Sequence, residues 1–250
     1  MSKNKRIVII GARSSVAEQC ARLWCKSEGV DFVLVGRDMG RTERVAADLL
    51  VRSPTSTTKS IVVDFQDPIA IQDLVESLFQ DGGIDLVLIA HGMLPDQLDC
   101  QKNLALCQET MVINGLSPAL FAEAFANHME QLNHGTIVVI GSVAGDRGRQ
   151  SNYVYGSAKG LIVRYAQGLQ HRLAGTAVKV VLIKLGPTDT PMTAQFKARG
   201  VKLAPVEDVA KMIVNAAEQG RSTTYIPGKW RVIMWVIRHM PSVIFNRIRI

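Results

Sequence analysis

Tyr155 and Lys159 have side-chain types and a spacing that suit acid–base chemistry at a substrate. They are four residues apart, so a helix through this segment places both side chains on one face. A tyrosine has an ordinary pKa of about 10, and a nearby ammonium group favours its phenolate form. We therefore expect Lys159 to lower the pKa of Tyr155 towards the working range of a general acid or base.

Two upstream polar residues, Ser142 and Asn114, complete a set that suits hydride chemistry at a carbonyl or alcohol carbon. Tyr155 would exchange a proton with the substrate oxygen, and Ser142 would hydrogen-bond that oxygen. Asn114 would hold a water molecule that links Lys159 to solvent. Each residue also has an ordinary interpretation, as an exposed Tyr–Lys pair, a turn serine and a buried amide. The four together are more specific than any one of them.

Residues 11–17 lie between an apolar run and a helical pattern, the place where a dinucleotide-binding fold holds a pyrophosphate. The groups expected to approach it belong to Gly11, Ser14, Ser15 and Val16. The glycine pattern is reduced, because Gly11 is the sole glycine of this segment. An ordinary strand-to-helix turn with a serine cap is the alternative.

The second apolar run ends at Gly36 and Arg37, where an NAD site usually has an acidic residue. The Arg37 guanidinium suits a 2′-phosphate instead, and Arg13 in the preceding turn would reach the same phosphate. Arg37 is otherwise a solvated charge after a strand. The two arginines favour NADP(H) over NAD(H).

Polar or small residues also end the third and fourth runs. Asp64 is expected either to accept a hydrogen bond from the adenine amine or to cap the next turn. Ala90, His91 and Gly92 would let a cofactor pass close to the backbone. His91 is considered as a catalytic acid, but we favour a role as a turn residue that lines the cofactor, because Tyr155 is the better acid.

These residues need a framework, and short apolar runs that alternate with helical patterns provide it. Near-continuous apolar runs are typical of strands buried on both faces of a parallel sheet. Strand–helix alternation predicts a doubly wound α/β (Rossmann) fold with about seven strands. The predicted strands are 7–10, 32–35, 61–63, 86–89, 136–140, 178–183 and 224–226. The main predicted helices are 16–26, 41–51, 69–79, 101–126, 153–173 and 206–219.

The 250 residues suit one domain with a large core, and the chain has no run of apolar residues long enough for a conventional transmembrane helix. The first apolar run is too short for a signal peptide, which predicts a cytoplasmic protein. The cysteines lack metal-ligand spacing, so we predict free thiols and no metal site. They are Cys20, Cys25, Cys100 and Cys107.

The net charge of +7 is concentrated at the C-terminal end. Residues 219–250 hold six of the 29 basic side chains and no acidic one, which leaves 23 basic and 22 acidic residues before them. A nearly neutral body argues against nucleic-acid binding. We divide the chain into a catalytic domain, residues 1–228, and a basic amphipathic tail, residues 229–250.

The tail combines tryptophan and aliphatic residues with Arg and Lys, which suits a helix lying on an anionic membrane surface. Arg231 and Arg238 share one helical face, whereas Trp230 and Val236 lie largely on another. Pro241 should break the helix into two pieces. The alternative is an arm that packs against a neighbouring subunit.

The sequence resembles the short-chain dehydrogenase/reductase superfamily over residues 5–227. Its matching motifs are residues 11–17, Asp64, Ala90-His91-Gly92, Asn114, Ser142, Tyr155-x-x-x-Lys159 and residues 185–190. The resemblance implies NAD(P)(H)-linked oxidoreduction, Asn/Ser/Tyr/Lys catalysis, and a homodimer or homotetramer. It also implies that Gly186 and Thr190 contact the nicotinamide end and that Lys159 binds the nicotinamide ribose. Tyr155 and Thr188 are expected to belong to the same cofactor site.

The reduced glycine turn, the Ala-His-Gly stretch and the tail are similar to a cell-envelope subgroup, including the reductase subunits of decaprenylphosphoryl-ribose 2-epimerases. That resemblance implies a keto-sugar carried on a polyprenyl phosphate, a partner oxidase and a location at the inner face of the cell membrane. Two alternatives stay open. One is a soluble reductase of a small carbonyl or 3-oxoacyl substrate, and the other is a non-catalytic NADP(H)-binding partner subunit.

Overall fold

The computed structural model describes residues 4–26 and 29–248. They form a parallel sheet of seven strands in the order β3-β2-β1-β4-β5-β6-β7. The strands are β1 (Lys5–Ile10), β2 (Val30–Gly36), β3 (Thr57–Val62), β4 (Leu86–Ile89), β5 (Thr136–Ser142), β6 (Lys179–Leu185) and β7 (Thr223–Ile226). The predicted doubly wound parallel sheet is therefore confirmed.

Both faces of the sheet are covered, which explains why its strands are apolar throughout. In β1, Ile7 and Ile9 pack into the core on one face, while Val8 and Ile10 pack into the core on the other. Successive side chains of a strand point to opposite faces, so one short run serves both cores. Full burial of each such side chain contributes about 1.5–3 kcal/mol.

Eleven α-helical segments accompany the strands in the part of the chain that the structure describes. They are α1 (Ser15–Trp24), α2 (Met39–Arg52), α3 (Pro68–Gln80), α4 (Gln97–Lys102), α5 (Leu104–Met111), α6 (Ser117–Leu132), α7 (Tyr153–Arg172), α8 (Ala194–Ala198), α9 (Val206–Glu218), α10 (Lys229–His239) and α11 (Ser242–Phe245). The helix predicted over residues 101–126 is interrupted at Asn103. Its side-chain oxygen accepts a hydrogen bond from the Leu106 N–H at 3.2 Å and so caps α5.

The carboxyl ends of the parallel strands meet along one edge of the sheet, where α/β proteins bind ligands. β1 pairs with β2 on one side and with β4 on the other. The strands before β4 are therefore added in one direction from β1, and the later strands are added in the opposite direction. Gly11, Ala90 and Ser142 come at the ends of β1, β4 and β5. This edge therefore collects the residues singled out by the sequence.

The tail forms α10 and α11, with Pro241 between them, as the sequence predicted. It packs against the body of the molecule through a stripe that includes the fully buried Met234. Arg147 fixes the end of α10, since its Nη1 donates to the carbonyl oxygens of Ile237 at 2.5 Å and Met240 at 2.6 Å. The same guanidinium lies 3.8 Å from the ring centroid of Phe245.

The opposite face of α10 is apolar and open to solvent. Val232 is 67% exposed, Trp235 63% and Val236 49%. Trp230 and Val236 were predicted to lie largely on a common face, but Trp230 points inwards to Gly186 and Val236 points outwards to solvent. Within residues 4–26 and 29–248, no helix combines the length and the hydropathy that crossing a membrane requires.

Candidate active site

A cleft of about 770 Å³ opens at the carboxyl edge of the sheet. The structure brings nearly all the predicted site residues to its walls. They are Gly11, Arg13, Ser14, Ser15, Val16, Arg37, Ala90, His91, Gly92, Asn114, Ser142, Tyr155, Lys159, Gly186, Thr188 and Thr190.

Asp64 is the predicted residue that does not line this cleft. It lies two residues beyond the end of β3, is exposed, and accepts a hydrogen bond from the Gln66 N–H at 2.9 Å. This is the turn-capping role that the sequence left open as an alternative. Phe65, the next residue, is buried and lines the cleft instead.

Tyr155 lies in the first turn of α7, and Ser142 is the last residue of β5. Burial raises the pKa of Tyr155, while hydrogen bonding with the Ser142 side chain acts in the opposite direction. The pKa of Tyr155 thus moves against our prediction, because burial outweighs the hydrogen bond with Ser142. A raised pKa keeps the phenol protonated at neutral pH, as a proton donor requires.

Lys159 is one turn further along α7 and is almost fully buried. Its Nζ donates to the carbonyl oxygen of Ile140 at 3.1 Å and lies 5.8 Å from the Tyr155 ring centroid. Burial lowers the pKa of Lys159 to about 8. The amine therefore titrates close to neutral pH, within reach of a proton-transfer role.

Asn114 lies in a π-helical turn, Val112–Leu116, between α5 and α6. Such turns place an extra residue in a helix and are frequent at functional sites. The Asn114 side chain is fully buried and fixed by two hydrogen bonds. Its Oδ1 accepts from the Met93 N–H, and its Nδ2 donates to the Thr110 carbonyl oxygen, both at 3.0 Å. One amide hydrogen and one acceptor position remain for a further partner.

Gly11 begins the turn after β1 with φ of 85°, a region that side-chain-bearing residues rarely adopt. A Cβ at this position would lie 2.7 Å from the His91 amide nitrogen, so the backbones of the two loops touch. Ser14 precedes α1, and its side chain makes no capping hydrogen bond to the helix. The free N–H groups at the start of α1 therefore suit a phosphate group.

Arg13 and Arg37 are exposed and line the same end of the cleft. Asp38, the acidic residue nearest in sequence, caps α2 by accepting from the Arg41 N–H at 2.9 Å. That hydrogen bond is the main cause of the lowered pKa of Asp38, to which the charge of Arg13 also contributes. Arg13 and Arg37 therefore provide two positive charges here, while the Asp38 carboxylate is already bound to the α2 backbone. This arrangement suits an additional phosphate group.

His91 is buried, with its Nε2 2.9 Å from the Ser117 hydroxyl and its ring 4.7 Å from that of Phe65. Burial, and then the charges of Lys159 and Arg37, lower its pKa to about 3. The imidazole is therefore neutral at physiological pH and has no proton to give as an imidazolium. This supports the sequence-based preference for a lining role.

The loop after β6 closes the other side of the cleft. The Thr188 hydroxyl donates to the Gly186 carbonyl oxygen at 3.0 Å. Trp230, the second residue of α10, packs so closely over Gly186 that no side chain would fit there. The tail therefore contributes to the wall of the cleft, which the division at residue 228 did not anticipate.

Arg149 also lines the cleft, although it was not among the predicted site residues. Neither Arg149 nor Trp230 belongs to a spacing motif, so only their positions in the fold reveal them. Together with Arg13, Arg37 and Lys159, Arg149 gives the described wall four basic residues, and no acidic residue is among those that line it.

The parallel sheet and the Asn–Ser–Tyr–Lys cluster at its carboxyl edge define a dinucleotide-dependent oxidoreductase of the Rossmann class. The chain belongs to the short-chain dehydrogenase family, whose profile, described as short chain dehydrogenase, matches residues 5–200. The protein is therefore an NAD(P)-dependent oxidoreductase, and the sequence-based family prediction is confirmed.

Similar proteins cover nearly the whole chain. A protein of Streptomyces coelicolor described as an uncharacterized oxidoreductase is 28% identical over 248 residues, which cover 98% of this chain and 96% of the relative. An uncharacterized oxidoreductase of Mycobacterium tuberculosis is 29% identical over 243 residues, with 96% of each chain covered. The structure of a short-chain dehydrogenase from Sphingobium yanoikuyae in complex with NADPH has a TM-score of 0.81 at 21% identity, covering 98% of this chain and 96% of that chain.

Proposed function

We propose that the protein is an NADPH-dependent reductase that converts a ketone into a secondary alcohol, with Tyr155 as the proton donor. The observation that carries this proposal is the position of Tyr155 in the cleft, beside Ser142 and one helical turn from Lys159. Burial raises the pKa of Tyr155, so its phenol is protonated at neutral pH and can give a proton to the ketone oxygen.

When bound, the reduced nicotinamide cofactor supplies the hydride that forms the new C–H bond at the ketone carbon. Ser142 donates a hydrogen bond to the ketone oxygen and holds it beside Tyr155. The Tyr155 hydroxyl gives its proton to this oxygen as negative charge develops, which completes the alcohol. Tyr155 is left as a phenolate.

Lys159 and Asn114 then restore the proton. The Lys159 ammonium stabilises the phenolate, and its pKa of about 8 lets it exchange protons near neutral pH. Asn114 retains hydrogen-bonding capacity after its two protein contacts, and a water held there would connect Lys159 with solvent.

NADP(H) is the cofactor that the basic end of the cleft suits. The start of α1 would hold the pyrophosphate, while Arg13 and Arg37 would pair with the 2′-phosphate. NADPH is also the ligand in the structure of the similar Sphingobium yanoikuyae dehydrogenase. Arg37→Asp should weaken NADPH relative to NADH by about tenfold or more, and an unchanged ratio would make Arg37 a bystander.

We infer further that the substrate is membrane-associated, with a polyprenyl-phosphate-linked keto-sugar as the specific candidate and an oxidase as the source of the ketone. The open apolar face of α10 is flanked by exposed basic residues, as in helices that lie on anionic lipid. Trp230 joins this helix to the cleft, which would place the active site beside the inner face of the membrane.

Turnover tests the chemistry. NADPH oxidation is measured against a panel of ketones, including detergent-solubilised polyprenyl-linked keto-sugars, for the wild type, Tyr155→Phe and Tyr153→Phe. Tyr155→Phe should lose about 100-fold or more in rate and keep its NADPH affinity. Tyr153 is exposed and outside the described cleft wall, so Tyr153→Phe should keep full activity. Full turnover by Tyr155→Phe would refute the catalytic assignment.

Vesicle sedimentation tests the membrane contact. The double variant Trp235→Ser/Val236→Ser removes exposed apolar groups and leaves Trp230 in the cleft, whereas deletion of the tail would also open the active site. The wild type should bind phosphatidylglycerol vesicles better than phosphatidylcholine vesicles. The double variant should lose its binding to phosphatidylglycerol vesicles. Val51→Ser, at an exposed position of α2, is the matched control. Equal vesicle binding by all variants, or a change in oligomer size only, would favour a subunit contact.

A further inference from the structure

Arg149 is a cation in the cleft that the proposed chemistry does not use. Its Nε is buried and has no hydrogen-bond partner among the residues that the structure describes. Burial lowers the pKa of its guanidinium, and Asp146 is the acidic residue whose charge acts against this. A buried donor without a partner is rare in folded proteins and points to a partner supplied from outside.

Asp146 is not available as that partner, because other groups already occupy its carboxylate. Its Oδ1 accepts from Lys184 Nζ at 2.6 Å and its Oδ2 from the Tyr225 hydroxyl at 2.7 Å. No acidic residue belongs to the described wall of the cleft. The positive charge of Arg149 therefore lacks a counter-charge on the surface that it faces.

Asn152 provides a second unsatisfied group at the same place. Its Oδ1 is also buried without a hydrogen-bond partner in the described part of the chain. The backbone fixes the spacing, since the Asn152 N–H donates to the Arg149 carbonyl oxygen at 3.1 Å and α7 begins directly afterwards. This turn holds Arg149 and Asn152 on the approach to Tyr155, and both residues line the cleft.

Arg149 is too far along the sheet to serve the cofactor phosphates near Arg37. Arg37 follows β2 and Arg149 lies between β5 and α7, and β1 and β4 separate these strands in the sheet. Neighbouring strands are about 4.8 Å apart, so the two strand ends are roughly 14 Å apart. Arg149 is therefore positioned for the substrate rather than for the adenosine phosphate.

We propose that Arg149 forms an anion subsite for the substrate, so that the ketone that this protein reduces also bears a carboxylate or phosphate group. The anion receives the buried Nε–H of Arg149 and neutralises the basic wall beside Tyr155. The subsite selects anionic ketones over neutral ones of similar shape. This inference rests on the proposed ketone reduction and adds the chemical class of its substrate.

Matched ketones test the inference with the full chain and NADPH. The anionic probes are 5-oxohexanoate and 4-acetylphenyl phosphate, and their neutral counterparts are 5-oxohexanamide and 4-methoxyacetophenone. The wild type should prefer at least one anionic probe in kcat/KM by about 10- to 100-fold, the range of a hydrogen bond to a charged group. The probe that carries the preference distinguishes a carboxylate from a phosphate.

Arg149→Gln should remove this preference, because it should raise KM for the anionic ketone by about tenfold more than KM for its neutral counterpart. Arg149→Lys should restore part of it, because the charge returns without the planar guanidinium. Arg199→Gln is the matched control, since Arg199 is exposed and outside the described cleft wall. Equal wild-type rates for both members of each pair, or an equal loss for both in Arg149→Gln, would overturn the subsite.

A binding measurement separates this inference from the proposed reaction. Calorimetry with hexanoate, hexanamide and phenyl phosphate needs no turnover. The wild type and Arg199→Gln should bind an anion at least about tenfold more tightly than Arg149→Gln does. If no ketone is reduced but Arg149-dependent anion binding is observed, only the reductase proposal is refuted. If ketones are reduced but the wild type and all variants bind the anions equally, only the subsite is refuted.

Discussion

Lys159 makes the stability of this protein depend on pH in a way that can be measured. The side chain is 3% exposed, and its Nζ donates a hydrogen bond to the Ile140 carbonyl oxygen. Burial disfavours the ammonium form and lowers the pKa from 10.5 to about 8. The unfolded chain, in which the amine is hydrated, keeps a pKa close to the ordinary value.

The sign and the size follow from proton linkage. Between the folded and unfolded pKa values the unfolded chain binds more protons, so the free energy of unfolding rises as pH rises through this window. At 1.36 kcal/mol per pKa unit, holding the charged amine in the fold costs about 3 kcal/mol at neutral pH. Roughly 1 kcal/mol of this cost disappears between about pH 7 and pH 9.

Urea unfolding of the wild type and Lys159→Met at these two pH values measures the effect. The stability of the wild type relative to the variant should increase by about 1 kcal/mol at the higher pH. Lys211→Met, at an exposed position of α9, controls for the loss of a lysine charge. A difference that stays constant, or that falls with pH, would show that burial does not govern the Lys159 amine. Ketone reduction by the wild type should decline over the same pH range, as the ammonium is lost.

Three further predictions follow from other contacts. Gly11→Ala should cost about 2–4 kcal/mol in urea unfolding, because of its positive φ and the nearby His91 backbone, whereas Gly40→Ala should change stability by less than about 1 kcal/mol. Arg147→Met should speed proteolysis of the tail and cost about 1–3 kcal/mol, because two charged hydrogen bonds to α10 are lost. Lys184→Met should lower the free energy of unfolding by about 3–5 kcal/mol, since the Asp146 carboxylate stays buried without its ion pair; a loss below about 1 kcal/mol would contradict this.

The sequence was sufficient for the fold and for the Tyr155–Lys159 pair, because both depend on local spacing. Apolar runs at regular intervals predicted the strands, and the turn residues that follow them lie at the shared carboxyl edge. Tyr155 and Lys159 share one helix, so their proximity follows from helical geometry alone. Gly11 was likewise predicted at the turn after the first apolar run, where its positive φ agrees with the residue type.

Features that depend on distant parts of the chain were not accessible in this way. The pKa of Tyr155 is set by burial, which depends on how several loops pack, and a spacing rule cannot supply that. Arg149 stands out as a candidate binding residue only because the described cleft wall has no acidic residue to pair with it. That fact depends on the whole fold. Asp64 lies outside the described cleft wall, because its exposed carboxylate turns back to accept a hydrogen bond from the Gln66 N–H.

Helix α10 of the tail has two apolar stripes, and the sequence alone does not tell which of them packs against the body. Trp230, Met234 and Ile237 are spaced by four and three residues, so they form one stripe of α10, and this stripe is the one that faces the body. The exposed stripe includes Val232, Trp235 and Val236. Any partner that binds the exposed stripe therefore contacts the same helix that covers Gly186 through Trp230. The exposed stripe and the cleft wall at Gly186 thus belong to one short helix, so a contact made by the first is transmitted directly to the second.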